Sequence, residues 1–397
     1  MSGPRVLHVV ETWSPIVSGY VTRSRLIVRH QAALGIAEPQ VLVSSRQHAL
    51  APTPAPEEPG VAVAAPSARE RLMRRVRPHD LDAGNMARAV ARTAKEGRAE
   101  IVHGHFASGI GRGAAMGARA AGLPFVSEAR FDLAGAAAAA GHPLMRRAEP
   151  VLRRRFEGHH RHAAALVCAS FALARLMGPL AGGAPVFVAP NGAEIPALGA
   201  GAREAARARL GIGAGEVVVG TATNMLAYEG LHRLAPALAG LGGVVLLLVG
   251  DGPARAGLEK GARRAGVRAI LPGAVPAAEV PALMAAMDVF AIPRPPASVT
   301  AYASPLKLAE AMAVGAAVVA TDQGDIAHML RGDHGLVVPP ADDAALAAAL
   351  RALIADPARR EILRQRTRAR ARTEMTWEAS AHVYADVYAA ALAGPAR

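Results

Sequence analysis

The segment SPLKLAEAMAVGAAVVATD, which begins at Ser304, combines residue types that bind phosphorylated ligands. Ser304 is a residue type common at helix N-caps, and Pro305 suits a first helical position, so we predict that a helix begins here. The free N–H groups of Leu306 and Lys307 would carry partial positive charge, and the Lys307 ammonium would add a full charge. This helix start is a candidate diphosphate site.

Glu310 lies three residues beyond Lys307, and therefore on the same helix face one turn deeper. Its carboxylate could accept hydrogen bonds from the two vicinal hydroxyls of a ribose. The helix start and Glu310 would then hold the diphosphate and the ribose of one nucleotide. The spacing is equally compatible with an amphipathic helix that has a routine cap and a surface Lys–Glu pair.

Polar residues in the first half of the chain form a second candidate group. His103 and His105 alternate at the end of the apolar run IVHGH, and Glu128 and Arg130 end the next run. Carboxyl ends of parallel strands lie at one edge of a sheet, where ligands bind. Either histidine is alternatively a packing residue with satisfied hydrogen bonds.

The loop SPIVSGYVTRSR follows the first strand-like run and is also a candidate for ligand contact. Gly19 would let a ligand approach the backbone closely, because it has no Cβ. Arg23 and Arg25 open the following helix and would face the same ligand. The alternative is a simple turn between a strand and a helix.

Two further motifs imitate known sites. The run GIGRGA (109–114) has the form of a dinucleotide-binding turn, with Glu128 downstream, and leaves an NAD-dependent dehydrogenase as an alternative. The run DLD (80–82) resembles a metal-binding D-x-D motif, but no second acidic cluster accompanies it. We therefore expect no metal and no other cofactor.

Strand-like and helix-like segments that alternate along the whole chain must position these residues. Continuously apolar strands separated by helices predict parallel sheets covered on both faces. Strands are predicted at 6–11, 41–45, 101–105, 124–129, 165–170, 186–190, 217–222, 244–250, 269–273, 289–293, 316–320 and 336–339, with helices at 84–98, 108–121, 144–163, 341–370 and 377–393. A Pro/Ala-rich stretch, 47–67, is predicted to be a long exposed loop.

The pattern restarts after residue 193, so we predict two doubly wound domains that face an interdomain cleft. Residues 1–195 would form the first domain and 205–375 the second, joined by the linker 194–202. The segment 376–397 would be a C-terminal helix that packs back toward the first domain.

Composition limits the function classes. The single cysteine, Cys168, excludes a disulfide framework and a cysteine-based zinc site, and is expected to be buried in a strand. No secretory signal and no apolar run of about 18 residues appear, which favours a cytoplasmic protein.

The net charge is +13, of which residues 1–195 carry +10, from 24 Lys and Arg against 14 Asp and Glu. The basic segments 69–77 and 145–162 could lie on an anionic membrane, which would make the protein peripheral on the inner membrane face. They contain no aromatic ladder, so we expect no nucleic acid partner. Solvated helix faces are the alternative.

The segment that begins at Ser304 resembles the donor-binding signature of family 4 retaining glycosyltransferases, E-G-x-G-x-x-x-x-E-A-M-A-x-G-x-P-V-V-A. Glu310 matches its second Glu, and Gly315 follows in register. The runs LLLVGDGP, PGAVPAAEVPALMAAMDVFAIPR and MTWEASAHVYADVY agree in order, as do WSPIVSGYVTRSR, IVHGHF and VAPNGAEI. The SGYVTRSR and SPLK variants are most similar to a bacterial branch associated with exosortase or exopolysaccharide systems.

The resemblance implies a GT-B fold and metal-independent transfer of a sugar from a nucleotide diphosphate to an acceptor hydroxyl. The second domain would bind the nucleotide sugar through Asn224, the residues 304–307 and Glu310, with Gly19 of the first domain beside it. The first domain would bind a sugar-containing or lipid-linked acceptor through Arg23, Glu128 and Arg130. Family members often place a histidine at the donor sugar, and His105 is the candidate here.

The chain departs from the family pattern where the diphosphate should be clamped. Asn224 stands at the usual Arg position, Glu229 at the usual Lys position and Tyr302 at the first Glu of the signature. Either Lys307 and Arg294 replace the missing cations and assist departure of the diphosphate, or the protein is a catalytically degenerate partner.

Overall fold

The chain divides into two compact units. Unit 1 comprises Met1–Pro190 and Trp377–Arg397, and unit 2 comprises Asn191–Thr376. The expected linker 194–202 lies inside unit 2, where Ala193 N donates a hydrogen bond to Met375 O. The structure is a computed structural model that describes residues 3–16, 18–51, 60–73, 82–105, 108–140, 147–297 and 300–394.

The described residues of unit 1 form a parallel seven-stranded sheet with the order β3-β2-β1-β4-β5-β6-β7. The order reverses between β1 and β4, so the carboxyl ends of these two strands form the topological switch point of the unit. Cys168 is buried in β6, as predicted. The strands are β1 (Arg5–Val10), β2 (Glu38–Val43), β3 (Val61–Val63), β4 (Ile101–His105), β5 (Phe125–Ala129), β6 (Ala165–Cys168) and β7 (Val186–Val188).

Helices connect these strands. They are α1 (Gly19–Ala33), α2 (Gln47–Leu50), α3 (Ala68–Met73), α4 (Ala83–Glu96), α5 (Ser108–Ala121), α6 (Leu133–Ala140), α7 (Glu149–Glu157) and α8 (Phe171–Met177). The prediction that residues 47–67 form one long loop was wrong in part, because α2 and β3 lie within this range. The predicted helix 144–163 is shorter, and a 3-10 turn at His160–His162 follows it. Residues 52–59, 74–81 and 141–146 lie outside the described residues.

The GIGRGA run does not form a nucleotide-binding turn, because all of it lies inside the regular helix α5. A Cβ on Gly117 would lie 2.5 Å from the Val90 Cβ, and one on Gly113 would lie 2.6 Å from the Met86 Cβ. These glycines therefore allow α5 to pack closely on α4. Asp82 of the DLD run is the N-cap of α4, whereas Asp80 and Leu81 lie outside the described residues.

The described residues of unit 2 form a parallel six-stranded sheet with the order β10-β9-β8-β11-β12-β13. Here the order reverses between β8 and β11, and the carboxyl ends of these strands form the switch point. The strands are β8 (Val217–Ala222), β9 (Val244–Val249), β10 (Arg268–Gly273), β11 (Val289–Ile292), β12 (Ala317–Thr321) and β13 (Leu336–Val338).

The helices of unit 2 are α9 (Ala202–Arg209), α10 (Leu234–Leu238), α11 (Arg255–Arg264), α12 (Val280–Ala285), α13 (Leu306–Ala313), α14 (Ile326–Met329), α15 (Asp343–Ala355) and α16 (Pro357–Glu374). The predicted single helix 341–370 is two helices. Asp356 caps α16 by accepting from Arg359 N, and Pro357 is its first residue. Proline has no N–H to continue the preceding helix, so α15 ends before Pro357.

The last helix, α17 (Trp377–Ala393), belongs to unit 1. Its Tyr384 hydroxyl donates to Glu128 Oε2 at 2.7 Å, and its Tyr388 hydroxyl is 3.0 Å from His103 Nδ1. All four side chains are buried. Among the residues that the structure describes, no helix has the length and apolar composition needed to cross a membrane.

The close packing of α5 on α4 predicts opposite effects for two glycine substitutions. Gly117→Ala should lower the free energy of unfolding by roughly 1–3 kcal/mol, because its Cβ would overlap Val90. Gly257→Ala in α11, whose Cβ would meet nothing within 4 Å, should raise it by about 0.5–1 kcal/mol. Urea unfolding followed by circular dichroism measures both, and a gain for Gly117→Ala would contradict the packing role.

Candidate functional site

Four side chains meet at the switch point of unit 2. Thr223 and Glu229 follow β8, Arg294 follows β11, and Lys307 is the second residue of α13. Glu229 Oε2 lies 3.1 Å from Arg294 Nε, and Glu229 Oε1 lies 3.3 Å from Arg294 Nη2. The Lys307 ammonium pairs with the same carboxylate and also donates to Thr223 Oγ1. One carboxylate is therefore shared by two cations.

The ion cluster is buried and incompletely satisfied. Glu229 is 5% exposed and Arg294 is 6% exposed. Within the described part of the chain, Arg294 Nη1 has no hydrogen-bond partner. Two cations against one carboxylate leave a net positive charge, and an unpaired buried donor is costly unless a ligand satisfies it. The cluster is therefore suited to an anionic ligand.

The backbone holds the two partners of this cluster in place. Gly230, which follows Glu229, has φ +70, and a Cβ on it would lie 2.2 Å from Pro293 O. Only glycine permits this close approach of the turn to the segment before Arg294. The Thr321 hydroxyl donates to Arg294 O at 2.7 Å. Both charged residues are therefore fixed by backbone contacts next to them.

The shared ion pair shifts the pKa of both partners. Burial opposes ionisation of Glu229, but Lys307 and Arg294 outweigh it and hold its pKa below the usual value. Burial lowers the pKa of Lys307 to about 8, and the charge of Arg294 adds to this shift, while Glu229 opposes it. An additional negative charge nearby would favour the protonated ammonium.

Glu310 lies in the same helix as Lys307, one turn further on. Burial raises its pKa to about 7, and Lys307 partly opposes the shift. The side chain is therefore poorly solvated, which makes it a good acceptor for ligand hydroxyls that would replace the lost water.

The start of α13 differs from the prediction at Ser304. The helix begins at Leu306, Pro305 is its N-cap residue, and no side chain caps it. Ser304 Oγ is buried without a hydrogen-bond partner among the described residues, while Ser304 O accepts from Asn191 Nδ2 at 2.7 Å. The expected Ser304 cap was therefore wrong. The first N–H groups of the helix, at Leu306 and Lys307, have no intrahelical partner.

Asn224, Tyr302 and Gly19 lie outside the ion cluster at Glu229. Asn224 is exposed beside Thr223, in the loop after β8. Tyr302 is half-buried and precedes α13. Gly19 is the first residue of α1 in unit 1, and among the described residues a Cβ on it would meet nothing within 4 Å. The described part of the chain therefore leaves space for a ligand at Gly19.

The candidate acceptor residues of unit 1 form an internal network. Glu128 is fully buried, and its Oε1 accepts from Arg23 Nε at 3.0 Å and from Arg130 Nε at 2.7 Å. Its Oε2 accepts from the Tyr384 hydroxyl. Arg23 and Glu128, which the sequence suggested as acceptor contacts, are therefore buried side chains bonded to one another. The Arg130 side chain is 6% exposed, and its guanidinium also donates to Ser24 Oγ at 2.7 Å, so Arg130 belongs to the same buried network.

His105 is also part of this network. It is fully buried, its Nε2 is 2.7 Å from His8 Nδ1, and its Nδ1 is hydrogen-bonded to Arg130. Both ring nitrogens of His105, the expected catalytic histidine, are therefore occupied within this network. The His103 and His105 rings stack with centroids 3.9 Å apart.

Ring nitrogens of His8, His103 and His105 lie within 4.8 Å of one another, which makes them the group to test as metal ligands. A metal needs nitrogens that converge at about 2.1 Å from one centre. Here His8 and His105 are at hydrogen-bonding distance, and the Arg130 guanidinium occupies the other nitrogen of His105. The geometry fits a hydrogen-bonded set of neutral histidines better than a metal centre.

The sequence did not predict several residues of the Glu229 cluster and of the Glu128 network. Thr223, Gly230 and Thr321 carry no motif of their own, and only the approach of distant segments gives them a role. His8 stands opposite His103 in the β1–β4 register, and this pairing is visible only in the structure. Tyr384 and Tyr388 lie one turn apart in α17, and this spacing indicates a common face.

The buried histidines predict an acid-sensitive contribution to stability. Burial, followed by neighbouring histidines, lowers the pKa of His8 and His105 well below the usual value. The unfolded chain therefore binds more protons below about pH 6.5, and stability is lost as the pH falls, by up to about 1.4 kcal/mol per pH unit for each histidine.

Glu157, whose pKa burial raises to about 8, acts in the opposite direction, so the comparison must be between variants. His8→Gln should weaken the fall in unfolding free energy between pH 7.5 and pH 5.5, and the exposed His48→Gln should leave it unchanged. Equal pH dependence in both variants would contradict this assignment. Urea titrations at the two pH values supply the measurement.

Part of unit 2 matches a known protein family. Residues 216–356 match the family described as glycosyl transferases group 1. This range contains the whole ion cluster at Glu229 and the helix α13. No curated protein gives a significant match to the chain.

Solved structures resemble the chain over nearly its whole length. Sucrose-phosphate synthase from Thermosynechococcus elongatus is 19% identical, with a TM-score of 0.73 over 98% of this chain and 99% of that chain. Anabaena Alr3699/HepE in complex with UDP-glucose is 20% identical, with a TM-score of 0.70 over 97% and 99%. WaaG, a glycosyltransferase involved in lipopolysaccharide biosynthesis, is 19% identical, with a TM-score of 0.67 over 96% and 99%.

At these identities the likeness shows the fold, and the predicted pair of Rossmann-like parallel-sheet domains is confirmed. The chain therefore has the GT-B fold of glycosyltransferases, and its second unit carries a glycosyl transferases group 1 domain.

Proposed function

We propose that the chain is a retaining glycosyltransferase of family 4, which transfers a sugar from a nucleotide diphosphate to an acceptor hydroxyl without a metal. The observation that carries this proposal is the cluster at Glu229. Arg294 and Lys307 share one carboxylate, and Arg294 Nη1 is buried without a hydrogen-bond partner among the described residues. A bound diphosphate would supply the missing acceptor and the missing negative charge.

Each residue of the cluster has a distinct task in this proposal. Arg294 and Lys307 stabilise the negative charge that develops on the leaving diphosphate. The free N–H groups at the start of α13 add partial positive charge beside them. Glu310 accepts hydrogen bonds from the ribose hydroxyls. The family resemblance supports retention, with the acceptor attacking from the face that the leaving group vacates and a phosphate oxygen taking its proton.

The structures of Anabaena Alr3699/HepE contain UDP, UDP-glucose, or UDP and glucose. They support a nucleotide sugar as the donor here, because they share the fold over 97% of this chain.

For the acceptor we propose a sugar-containing or lipid-linked molecule bound by unit 1, with the backbone at Gly19 as the candidate contact that has open space beside it among the described residues. We also propose a cytoplasmic location, with weak contact of unit 1 with the inner membrane face. Residues 1–195 carry +10 of the +13 net charge, which supports contact with an anionic surface. The resemblance further suggests a role in exosortase-associated or exopolysaccharide systems.

Substitutions in the cluster test the proposed cations. Lys307→Ala and Arg294→Ala should each lower turnover by about 10²–10³-fold and affect ground-state affinity less, since the charge to be stabilised develops during departure. The double variant should lose less than the product of the two single effects. Lys260→Ala and Arg263→Ala, which remove exposed charges from α11, are the matched controls. Transfer kinetics with a panel of nucleotide sugars give both quantities.

The same assay separates an active enzyme from a degenerate partner protein. If Lys307→Ala kept near-normal turnover, and Glu229→Lys raised it strongly, then Lys307 and Arg294 would not replace the usual cations.

Glu310→Gln should act on binding. Loss of a charge-assisted hydrogen bond costs roughly 1.5–3 kcal/mol, so nucleotide affinity should fall about tenfold or more. Calorimetric titration with nucleoside diphosphates measures it, and the circular dichroism of the variant checks that α13 persists. Unchanged affinity would remove Glu310 from the ribose site.

Metal independence is tested by chelation. Excess EDTA should leave both nucleotide affinity and turnover within about twofold of the untreated protein, because cationic side chains and helix N–H groups hold the diphosphate in this proposal. Loss of activity with EDTA, restored by a divalent cation, would refute it.

A further inference from the structure

Unit 1 contains a cavity of about 870 Å³ beside α5 and α7. Its wall consists of one face of α5, the residues that lead into β5 and β6, the end of α7, the 3-10 turn at His160–His162 and the C-terminal end of α17. The volume is in the range of small-molecule sites. None of the residues proposed for glycosyl transfer lines this cavity. A ligand bound here would therefore be separate from the nucleotide sugar.

The rim of the cavity is strongly basic. Arg112 and Arg119 project from α5, Arg154 and Arg155 from α7, and Arg161 from the 3-10 turn, and all five are exposed. In the described part of the chain, none of the five forms an ion pair with a carboxylate, and no acidic residue lines the cavity. Uncompensated guanidinium groups around one cavity attract an anion, and they suit phosphate oxygens in particular.

Apolar side chains form another part of the wall. Met116 lies between Arg112 and Arg119 on the same face of α5 and is 44% exposed. Leu123 and Phe125 continue this surface inward. An anion alone would gain nothing from these side chains, whereas a hydrocarbon chain would remove them from water.

A second, smaller cavity of about 690 Å³ shares Arg154 and Arg161 with the first. It continues past Val151, which is 68% exposed, to Leu180. The apolar surface therefore extends beyond the arginine rim, which favours a ligand with a hydrocarbon chain.

His159 adds an independent indication of a ligand. It lines the larger cavity and is only 6% exposed, yet its Nε2 has no hydrogen-bond partner among the described residues. A backbone hydrogen bond to Phe156 engages the ring from the other side. A buried polar atom without a partner in a cavity wall is costly until something polar binds there.

We propose that this cavity binds a phosphorylated lipid, with the phosphate at the arginine rim and His159 and a hydrocarbon chain over Met116 and Leu123. This site is separate from the acceptor site proposed above, because it lies at the amino ends of β5 and β6, whereas the candidate acceptor residues lie near the carboxyl ends of the strands. It does not depend on the proposed glycosyl transfer. Nucleic acid fits the site less well, because its one aromatic ring outside histidine, Phe125, is 4% exposed and offers no stacking surface.

Three soluble probes distinguish a lipid from a free phosphate. Calorimetric titration of the full chain should show binding of dihexanoyl phosphatidic acid below its micelle concentration. Glycerol 3-phosphate, which has the head alone, and dihexanoyl phosphatidylcholine, which has the chains but no net charge, should each bind at least tenfold more weakly. Equal binding of glycerol 3-phosphate and the phosphatidic acid would overturn the proposal in favour of a simple anion site.

Charge-matched variants locate the site. Arg119→Gln/Arg154→Gln should weaken phosphatidic acid binding about 30-fold, since each basic residue contributes on the order of 1 kcal/mol. Arg92→Gln/Arg175→Gln removes two exposed charges of unit 1 away from the cavity and should have little effect. Met116→Gln should weaken binding of the lipid but not of glycerol 3-phosphate.

Three results would refute the lipid site. They are equal losses in both double variants, no binding of phosphatidic acid at all, and displacement of the lipid by a single-stranded oligonucleotide that binds more tightly. Nucleoside diphosphate binding, measured on the same variants, should be unchanged. This readout keeps a failure of the lipid proposal distinct from a failure of the proposed glycosyl transfer.

Discussion

The sharing of one buried carboxylate by two cations organises the candidate site of unit 2. Glu229 neutralises only part of the charge of Arg294 and Lys307, so the edge keeps an excess of positive charge. A buried pair with exact charge balance would bind no anion, and two buried cations without Glu229 would repel each other at this burial. A single carboxylate thus lets the fold hold two cations together and still leaves a donor for a ligand.

Topology explains why these residues meet. Glu229 follows the first strand of unit 2 and Arg294 follows the fourth, and the two strands are neighbours because the strand order reverses between them. The sequence predicted the strands, the alternation with helices and the parallel arrangement, because apolar runs and helical spacing are local signals. It also named Arg294 and Lys307 as candidate replacements for the usual cations, although it did not predict that both would pair with Glu229.

Two kinds of placement were not predicted from the sequence, for different physical reasons. Ser304 had the residue type of an N-cap, but the helix starts after Pro305, and residue type alone does not fix the first helical residue. Arg23, Glu128 and His105 had the residue types and strand-end positions of ligand contacts. They are buried because the distant helix α17 supplies Tyr384 to Glu128 and covers the sheet. Such long-range closure of a polar network leaves no signal in a short sequence window.

The membership of α17 in unit 1 also affects how the protein folds during synthesis. Unit 2 is an insertion in unit 1, since Asn191–Thr376 is flanked on both sides by segments of the other unit. A ribosome therefore releases every residue of unit 2 before it releases Tyr384 and Tyr388. The unit that begins first is completed last, and until then Glu128 and His103 lack the hydroxyl partners that α17 provides. A nascent or truncated chain that ends at Thr376 would expose the apolar face that α17 covers, and so would be a substrate for chaperones and proteases.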